Sequence, residues 1–532
     1  VTNTAEDARA KGHRQVLRSA SIMTLMTVLS RILGLVREQV RAVLLGTGAS
    51  SDAFGLATTI PNLFRRLFAE GAMTAAFVPI LTEHLHQSTL ARTREFLSRF
   101  VTLLTFAVTA FTVLAIVLTP WLIDTFFASE FRHVPGKVVL TTTLTQLMWP
   151  YLVLVTLAAV IQGILNAHKI FGPSAFAPVL MNAGIIAGAV AFRSTFDDPA
   201  YALVIGFLAG GVLQLLFQIP WLFRDTPIRF GLDLNLRDPE VRRVLKVMVP
   251  GIFAAGIYQF NVFASQIIAS GLAEGSVSSL QYSLRLQELV LGVFVVSVAQ
   301  VILPSLSEHT AKDDHEGVRS TVSYAVRLIA FITLPATALL ILLGRPVVEA
   351  LFQFGAFSAE STAKTTFALT FHAMGLFFIG HARVLSQAFF AYKDLRTPTL
   401  IALFDAIINI ALCLVLSGSL GHGGIALAST LAAVANSLLL HFFLARRTSG
   451  LALSDMLRRF ARIGLATAIM AGAVAIFAHL LPPTMPSRLL LIGWILLALS
   501  IAAMTYLAAS SALRINELSS LLGAVRRRFR RK

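Results

Sequence analysis

Apolar runs of about twenty residues recur along the whole chain, each long enough to cross a bilayer as a helix. A segment inside lipid must satisfy its own backbone hydrogen bonds, and only helices and closed barrels do so. The runs are continuous rather than alternating, so they read as helices. Composition agrees. A soluble domain carries about a quarter charged residues. This chain of 532 residues carries 13%, with 56% hydrophobic. The expected fold is an all-α polytopic membrane protein with about fourteen spans. They fall near 19–45, 53–84, 99–123, 140–166, 174–194, 201–223, 241–271, 277–305, 320–343, 364–391, 398–417, 422–445, 461–481 and 488–512.

The net charge of +17 would suggest nucleic acid in a soluble protein. Here it fits loops on the cytoplasmic side, which collect Lys and Arg. The basic clusters are Arg9 to Arg18, Arg224 to Lys246, Arg446 to Arg459, and Arg526 to Lys532. An even number of spans places them all on one side. Loops 46–51 and 418–421, on the other side, hold no basic residue. Loop 124–137, with Arg132 and Lys137, is the weakest case. Both termini are therefore expected in the cytoplasm of a bacterial inner-membrane protein. The basic C-terminus is expected against anionic phospholipid headgroups. The polar, basic N-terminus leads into an apolar segment with no small-residue cleavage site, so no cleavable signal is expected. The single cysteine, Cys413, offers neither a disulfide nor a metal-ligand pair.

The chain also repeats itself. Pro79 to His84 resembles Pro304 to His309, an offset of 225 residues. Gln162 and Pro173 answer to Gln387 and Pro398 at the same offset, and Pro120 to Phe126 answers to Pro346 to Phe352 at 226. Two homologous six-helix lobes follow as the expectation. The layout is a basic tail (1–18), an N-lobe (19–235), a C-lobe (236–447), and two extra helices with a basic tail (448–532). A parallel repeat of this kind carries substrate between its halves and works by rocking them.

Charges inside the spans are the functional signal, because an ionisable group there needs a wet cavity or a partner. The first span holds Arg31, Arg37, Glu38 and Arg41; the second holds Arg65, Arg66 and Glu70; the eighth holds Arg285 and Glu288. Arg31 and Arg37 lie about 240° apart on a regular helix. Gly34 between them is expected to break the helix and let both point inward. Pro61 removes a backbone bond near Arg65. The expected result is a cationic cavity between the lobes. Arginine keeps its charge and grips phosphate oxygens in a fork, so a pyrophosphate would fit. The structural alternatives are an Arg65–Arg66–Glu70 knot and snorkelling of Arg31 and Arg41 to the interface. Asp52 reads as the N-cap of the second helix or as an outer gating contact. Asp405 and Asn409 share a helix face and, with Ser429 and Thr430 on the next span, offer hard oxygen ligands for a small cation. Asp405 paired with Arg383 is the other reading, and the two stand level.

The stretches Ser30–Arg37, Ser51–Phe54, Ile60–Ala72 and Ala76–Ile80 resemble the signature region of the MurJ (MviN) family. So do Asn166, Phe176–Pro178, and Gly275–Ser278 leading to Arg285. The resemblance implies the fourteen-helix exporter fold and a non-enzymatic flippase. Its substrate would be lipid II, the polyprenyl-pyrophosphate-linked cell-wall precursor, moved to the outer leaflet. It implies substrate-binding roles for Arg31, Arg37, Arg65 and Arg285, and acidic roles for Asp52 and Glu70. The last two helices would form a groove for the polyprenyl tail. It also implies, for some members, a sodium site that would touch Ser265, Asp405, Asn409 and Ser429. Glu38 stands where Asp is frequent, Leu284 where some members have Asp, and Ser265 is a weaker ligand than a carboxylate. The membrane potential would assist transport, a monomer would suffice, and no covalent chemistry is required. The competing expectations are a flippase for another polyprenyl-pyrophosphate glycan, a cation-coupled drug antiporter, and an integral-membrane glycosyltransferase. An arginine-rich cavity argues against the antiporter, and the short loops argue against the transferase.

Overall fold

The computed structural model describes residues 2–67, 77–126, 131, 133–233, 235, 238–448, 450, 453–481, 485 and 487–519. Among these residues the chain is helical, with no strand. It divides into two compact units, Val1–Glu274 and Gly275–Lys532.

Unit 1 holds α1 (Thr2–Leu45), α2 (Ala49–Arg65), α3 (Val78–Gln87), α4 (Leu90–Phe126), α5 (Lys137–Met148), α6 (Pro150–Ala167), α7 (Gly172–Ala191), α8 (Ala200–Asp225) and α9 (Pro239–Ser270). Unit 2 holds α10 (Ser276–Val290), a π-turn at Leu291–Val295, α11 (Val296–Ala311), α12 (His315–Leu342), α13 (Gly344–Phe352), α14 (Ala359–Met374), α15 (Leu376–Ala391), α16 (Arg396–Leu420), α17 (His422–Arg447), α18 (Leu453–Leu480) and α19 (Arg488–Ala512).

Among the described residues, nine helices are long and apolar enough to cross a membrane, or ten if the pair α14–α15, bent by 42°, is one span. The chain is thus a multi-pass membrane protein. The expected spans 19–45, 53–84, 241–271 and 277–305 do not meet that test among the described residues. They are the polar ones. The first carries Arg31, Arg37, Glu38 and Arg41. The second is described as two short helices, α2 and α3, with 68–76 outside the described residues. The seventh threads Gln259, Asn261, Ser265 and Gln266 through α9, and the eighth is interrupted by the π-turn.

Gly34 does not break the first helix, contrary to expectation; α1 runs through it. A lone glycine costs a helix only about 1 kcal/mol, too little to end a segment packed along α7. What Gly34 leaves is space beside Asn182, whose amide nitrogen would lie 3.8 Å from an added Cβ.

The core of unit 1 is built where α7 and α8 meet α1, α2 and α5. Leu45, Phe54, Leu144, Met148, Ile185, Leu203 and Val204 close it. Small residues bring α7 and α8 together. A Cβ on Gly184 would sit 2.5 Å from Gly210 Cα, and one on Gly188 would strike Gly206. Backbone cannot rotate away as a side chain can. Gly184→Ala should therefore lower the melting temperature in detergent, by an overpacking penalty of about 1–3 kcal/mol. Gly172→Ala, where an added Cβ meets nothing within 4 Å, should be neutral.

Polar contacts close the basic side of unit 1. Arg99 bridges Asp233 (2.9 Å) and Asp238 (2.5 Å) and also holds Glu95, while Arg243 grips Glu83 through both nitrogens at 3.0 and 3.2 Å. Burial alone would raise the Asp238 carboxyl. Hydrogen bonds from Arg99 and from the Glu240 amide outweigh it and hold the group below its usual range.

In unit 2, one core joins α11, α12, α15 and α17 around Val322, Ile329, Val384 and Leu440. A second joins α12, α18 and α19 around Phe331, Ile463, Trp494 and Tyr506. Arg327 of α12 pairs at 2.8 Å with the nearly buried Glu517 beyond α19. That pair fastens the last helices to the unit.

Candidate functional site

The charges of the first span form a connected cluster with α2, α5 and α7. Arg37 donates to Asn182 Oδ1 at 3.0 Å and to Glu38 Oε1 at 2.6 Å. Asn182, on α7, donates back to the Ser30 carbonyl at 3.1 Å. Its amide therefore ties two turns of α1 together and aims the Arg37 guanidinium. Glu38 Oε2 lies 3.7 Å from Arg41, which donates to the Ser51 carbonyl at 3.2 Å and lies over the Phe54 ring. Arg41 is buried. It does not snorkel, because α1 meets the start of α2 here and the guanidinium closes that corner.

Asp52 is not the N-cap of α2. The helix begins at Ala49 with Gly48 at the cap, and Asp52 sits one turn in. Glu274 supplies the missing acceptor, its Oε1 taking the Ala49 amide at 2.7 Å. Asp52 instead forms an ion pair with Lys137 at 3.0 Å. Side-chain exposure is 2% for Asp52 and 3% for Lys137. The ammonium also lies 4.1 Å from the centre of the Phe131 ring. Lys137 opens α5 behind Gly136, whose φ of 78° suits glycine.

Arg65 ends α2, its Nε donating to Asn62 Oδ1 at 2.9 Å; Asn62 in turn donates to the Thr58 carbonyl. Arg31 and Arg66 are partly buried. Arg31 makes no hydrogen bond or ion pair among the described residues. Glu70 lies outside the described residues. Unit 1 therefore holds two charge clusters at the corner of α1, α2 and α5, Arg37–Glu38–Arg41 and Asp52–Lys137, with Arg41 bonded to the carbonyl of Ser51 beside Asp52.

In unit 2, α10 starts at Gly275 with φ of 86°. Arg285 is exposed and donates to Glu288 at 2.8 Å. The opposite face of α10 is fixed by Ser283 on His372 Nδ1 at 2.9 Å and by Gln287 on the His372 carbonyl.

The expected cation ligands divide between the units. Ser265 lies on α9 and donates to its own helix at Asn261. Asp405, Asn409 and Ser429 lie on α16 and α17. Asp405 does not pair with Arg383; its partner is Asn436 of α17. The reason is register, since α16 packs along α17 rather than against the Arg383 face of α15. Oδ1 of Asp405 is buried without a hydrogen bond, and Asn409 is buried one turn on. Ser429 donates to Ala426 and keeps lone pairs free. Carboxylate, amide and hydroxyl oxygens are a donor set that suits a small hard cation.

Sequence reasoning missed Asn182 and Asn436, and it read Lys137 only as loop charge. Lone amides within apolar runs were the available signal for the first two.

The description "Lipid II flippase MurJ" belongs to the family model that matches residues 41–494. The chain belongs to the MurJ family. Relatives confirm the family along most of its length. A probable lipid II flippase MurJ of Treponema pallidum is 34% identical over 445 residues, covering 82% of this chain and 83% of the relative. A lipid II flippase MurJ of Burkholderia cenocepacia is 35% identical over 451 residues, covering 84% and 87%. A solved structure of lipid II flippase MurJ in an inward closed conformation superposes with a TM-score of 0.78 at 27% identity, covering 92% and 98%. An inward-facing multidrug transporter of the MATE family shares the fold, with a TM-score of 0.66 at 16% identity.

Proposed function

We propose that this protein flips lipid II from the inner to the outer leaflet of the bacterial cytoplasmic membrane. The observation that carries the reading is the family match across residues 41–494, which takes in Arg65 and Arg285. The fixed guanidinium of Arg37 adds to it. Arg31, Arg37, Arg65 and Arg285 hold the pyrophosphate in an arginine-lined cavity, and the polyprenyl tail stays in the bilayer along α18 and α19. Neutralising the arginines lets the protein close and reopen outward by alternating access. The chain has fourteen spans in two six-helix lobes plus two more, with both termini cytoplasmic, and acts as a monomer. Matching helix bounds support the duplication: α12 starts 225 residues after α4, and α17 starts 222 after α8. Sodium held by Asp405, Asn409 and Ser429 serves as a coupling ion. No covalent bond changes.

The test is native mass spectrometry of the purified protein with lipid II and bulk phospholipid together. Selective retention of lipid II supports the reading, and equal retention of both overturns it. A second arm uses proteoliposomes. An inside-negative potential favours outward movement of an anionic headgroup by about 2.3 kcal/mol per charge per 100 mV. Collapsing it should slow flipping, and an unchanged rate removes the potential from the mechanism.

A further inference from the structure

Residues 226–233 lead from α8 towards α9 and form no helix. The flippase reading gives them no role, yet side chains hold their backbone in place. On α4, Arg94 donates to the Pro227 carbonyl through Nε and Nη2 at 3.2 and 2.7 Å. Ser98 Oγ accepts the Gly231 amide at 3.1 Å. Thr102 Oγ1 accepts the Asp233 amide at 3.1 Å and donates to the Gly231 carbonyl at 3.4 Å. On the α8 side, Arg229 folds back over the Phe223 ring and donates to the carbonyls of Phe223, Thr226 and Ile228 at 2.6, 3.1 and 2.7 Å. Ile228 is buried.

The two flanking helices set the depth of this segment. α4 has 37 residues. At 1.5 Å per residue it is about 55 Å long, so it outruns a hydrocarbon core of about 30 Å. Arg99 is its last charged residue before Asp124. Thr102 therefore lies inside the uncharged stretch, and the backbone bonded to it reaches the edge of the hydrocarbon. The end of α8 agrees. Trp221 and Phe223 are exposed there and Arg224 follows, the aromatic and basic pairing of a membrane interface. Non-helical backbone is tolerated at membrane depth where protein groups satisfy it. Arg94, Ser98, Thr102 and Arg229 do so here. What they leave uncovered is Leu232. At 93% it is the most exposed large apolar side chain among the described residues.

We infer that residues 226–233 form a strap seated in the headgroup layer at the basic ends of α4 and α8, with the Leu232 side chain inserted into the lipid of that leaflet. The partner of this surface is the bilayer itself. The strap has a mechanical consequence. Arg99 holds Asp233 of the strap and Asp238, the N-cap of α9, together. The first turn of α9 is thereby tied to the membrane surface. This goes beyond the flippase reading and does not rest on it.

The test needs no lipid substrate. The buried Cys413 is replaced by alanine. Leu232→Cys in the full chain then carries a nitroxide label in phospholipid nanodiscs. Power-saturation EPR reads its collisions with oxygen, which concentrates in hydrocarbon, and with a neutral nickel chelate, which stays in water. Val113→Cys, exposed within the apolar part of α4, is the lipid reference. Lys312→Cys, exposed in the turn after α11, is the water reference. A side chain about 5–10 Å below the headgroups should show an oxygen-to-nickel ratio about threefold or more above the Lys312 reference and below the Val113 one. A ratio equal to that of Lys312 places Leu232 in water and overturns the proposal. Few collisions with either agent mean that protein covers the side chain, which overturns it too. Thr102→Val keeps the shape of α4 but removes both bonds to the strap. In that background the ratio at position 232 should fall towards the water reference. An unchanged ratio would overturn the role of α4 in seating the strap.

Discussion

Arg37→Ala should lose lipid II retention by roughly a hundredfold, about 3 kcal/mol, while the protein still folds. The size follows from what the side chain is. Its side chain is 20% exposed, and its guanidinium is held by Asn182 on one side and Glu38 on the other. A fork fixed in this way meets a diphosphate without losing further rotamer freedom. Each charge-assisted bond contributes about 1.5–3 kcal/mol. Arg37→Lys should recover only part of the loss, because an ammonium cannot place two parallel donors. Glu38 keeps a neighbour in Arg41 when Arg37 is removed, so the melting temperature should move little. Native mass spectrometry reads the retention, and a thermal melt of the same sample reads the fold. Equal retention by wild type and Arg37→Ala would assign Arg37 to structure.

Much of this was legible in the sequence, for a physical reason. A helix in lipid is written in local composition, so spans such as Leu90–Phe126 and Arg396–Leu420 stand out without tertiary information. Breaks within spans are subtler. The 140–166 run is two helices meeting at Trp149 and Pro150, and the 364–391 run bends at Gly375. A hydropathy average smooths over a single residue that ends a turn. The arginines were found because intramembrane charge is rare enough to stand out. Their partners were not. Asn182 lies 145 residues from Arg37, and Lys137 lies 85 from Asp52. Nothing local marks which amide or ammonium a folded chain will bring to a carboxylate. The N-cap expectation for Asp52 failed for the same reason. Local spacing suggested a cap, but Glu274, 225 residues from Ala49, fills that need.

The pair that sequence reasoning overlooked carries the largest expected effect on stability. Asp52→Asn should destabilise the protein by about 3–5 kcal/mol, because it strands the buried Lys137 ammonium. Phe131 offsets part of this, since a ring face stabilises a desolvated cation by about 2 kcal/mol. Lys137→Met should cost a similar amount by stranding Asp52. The double variant Asp52→Asn, Lys137→Met removes both charges and should recover most of the loss, since a buried ion pair returns little more than its desolvation cost. Melting temperatures of the four proteins in one detergent close the cycle. Additive losses in the double variant would mean that the two groups do not depend on each other. Flipping measured on the double variant then separates two roles. If stability returns and transport does not, the charges at the start of α2 and α5 act in the transport cycle. If both return, neither charge is needed for transport, and each serves only to neutralise the other in the buried α2–α5 contact.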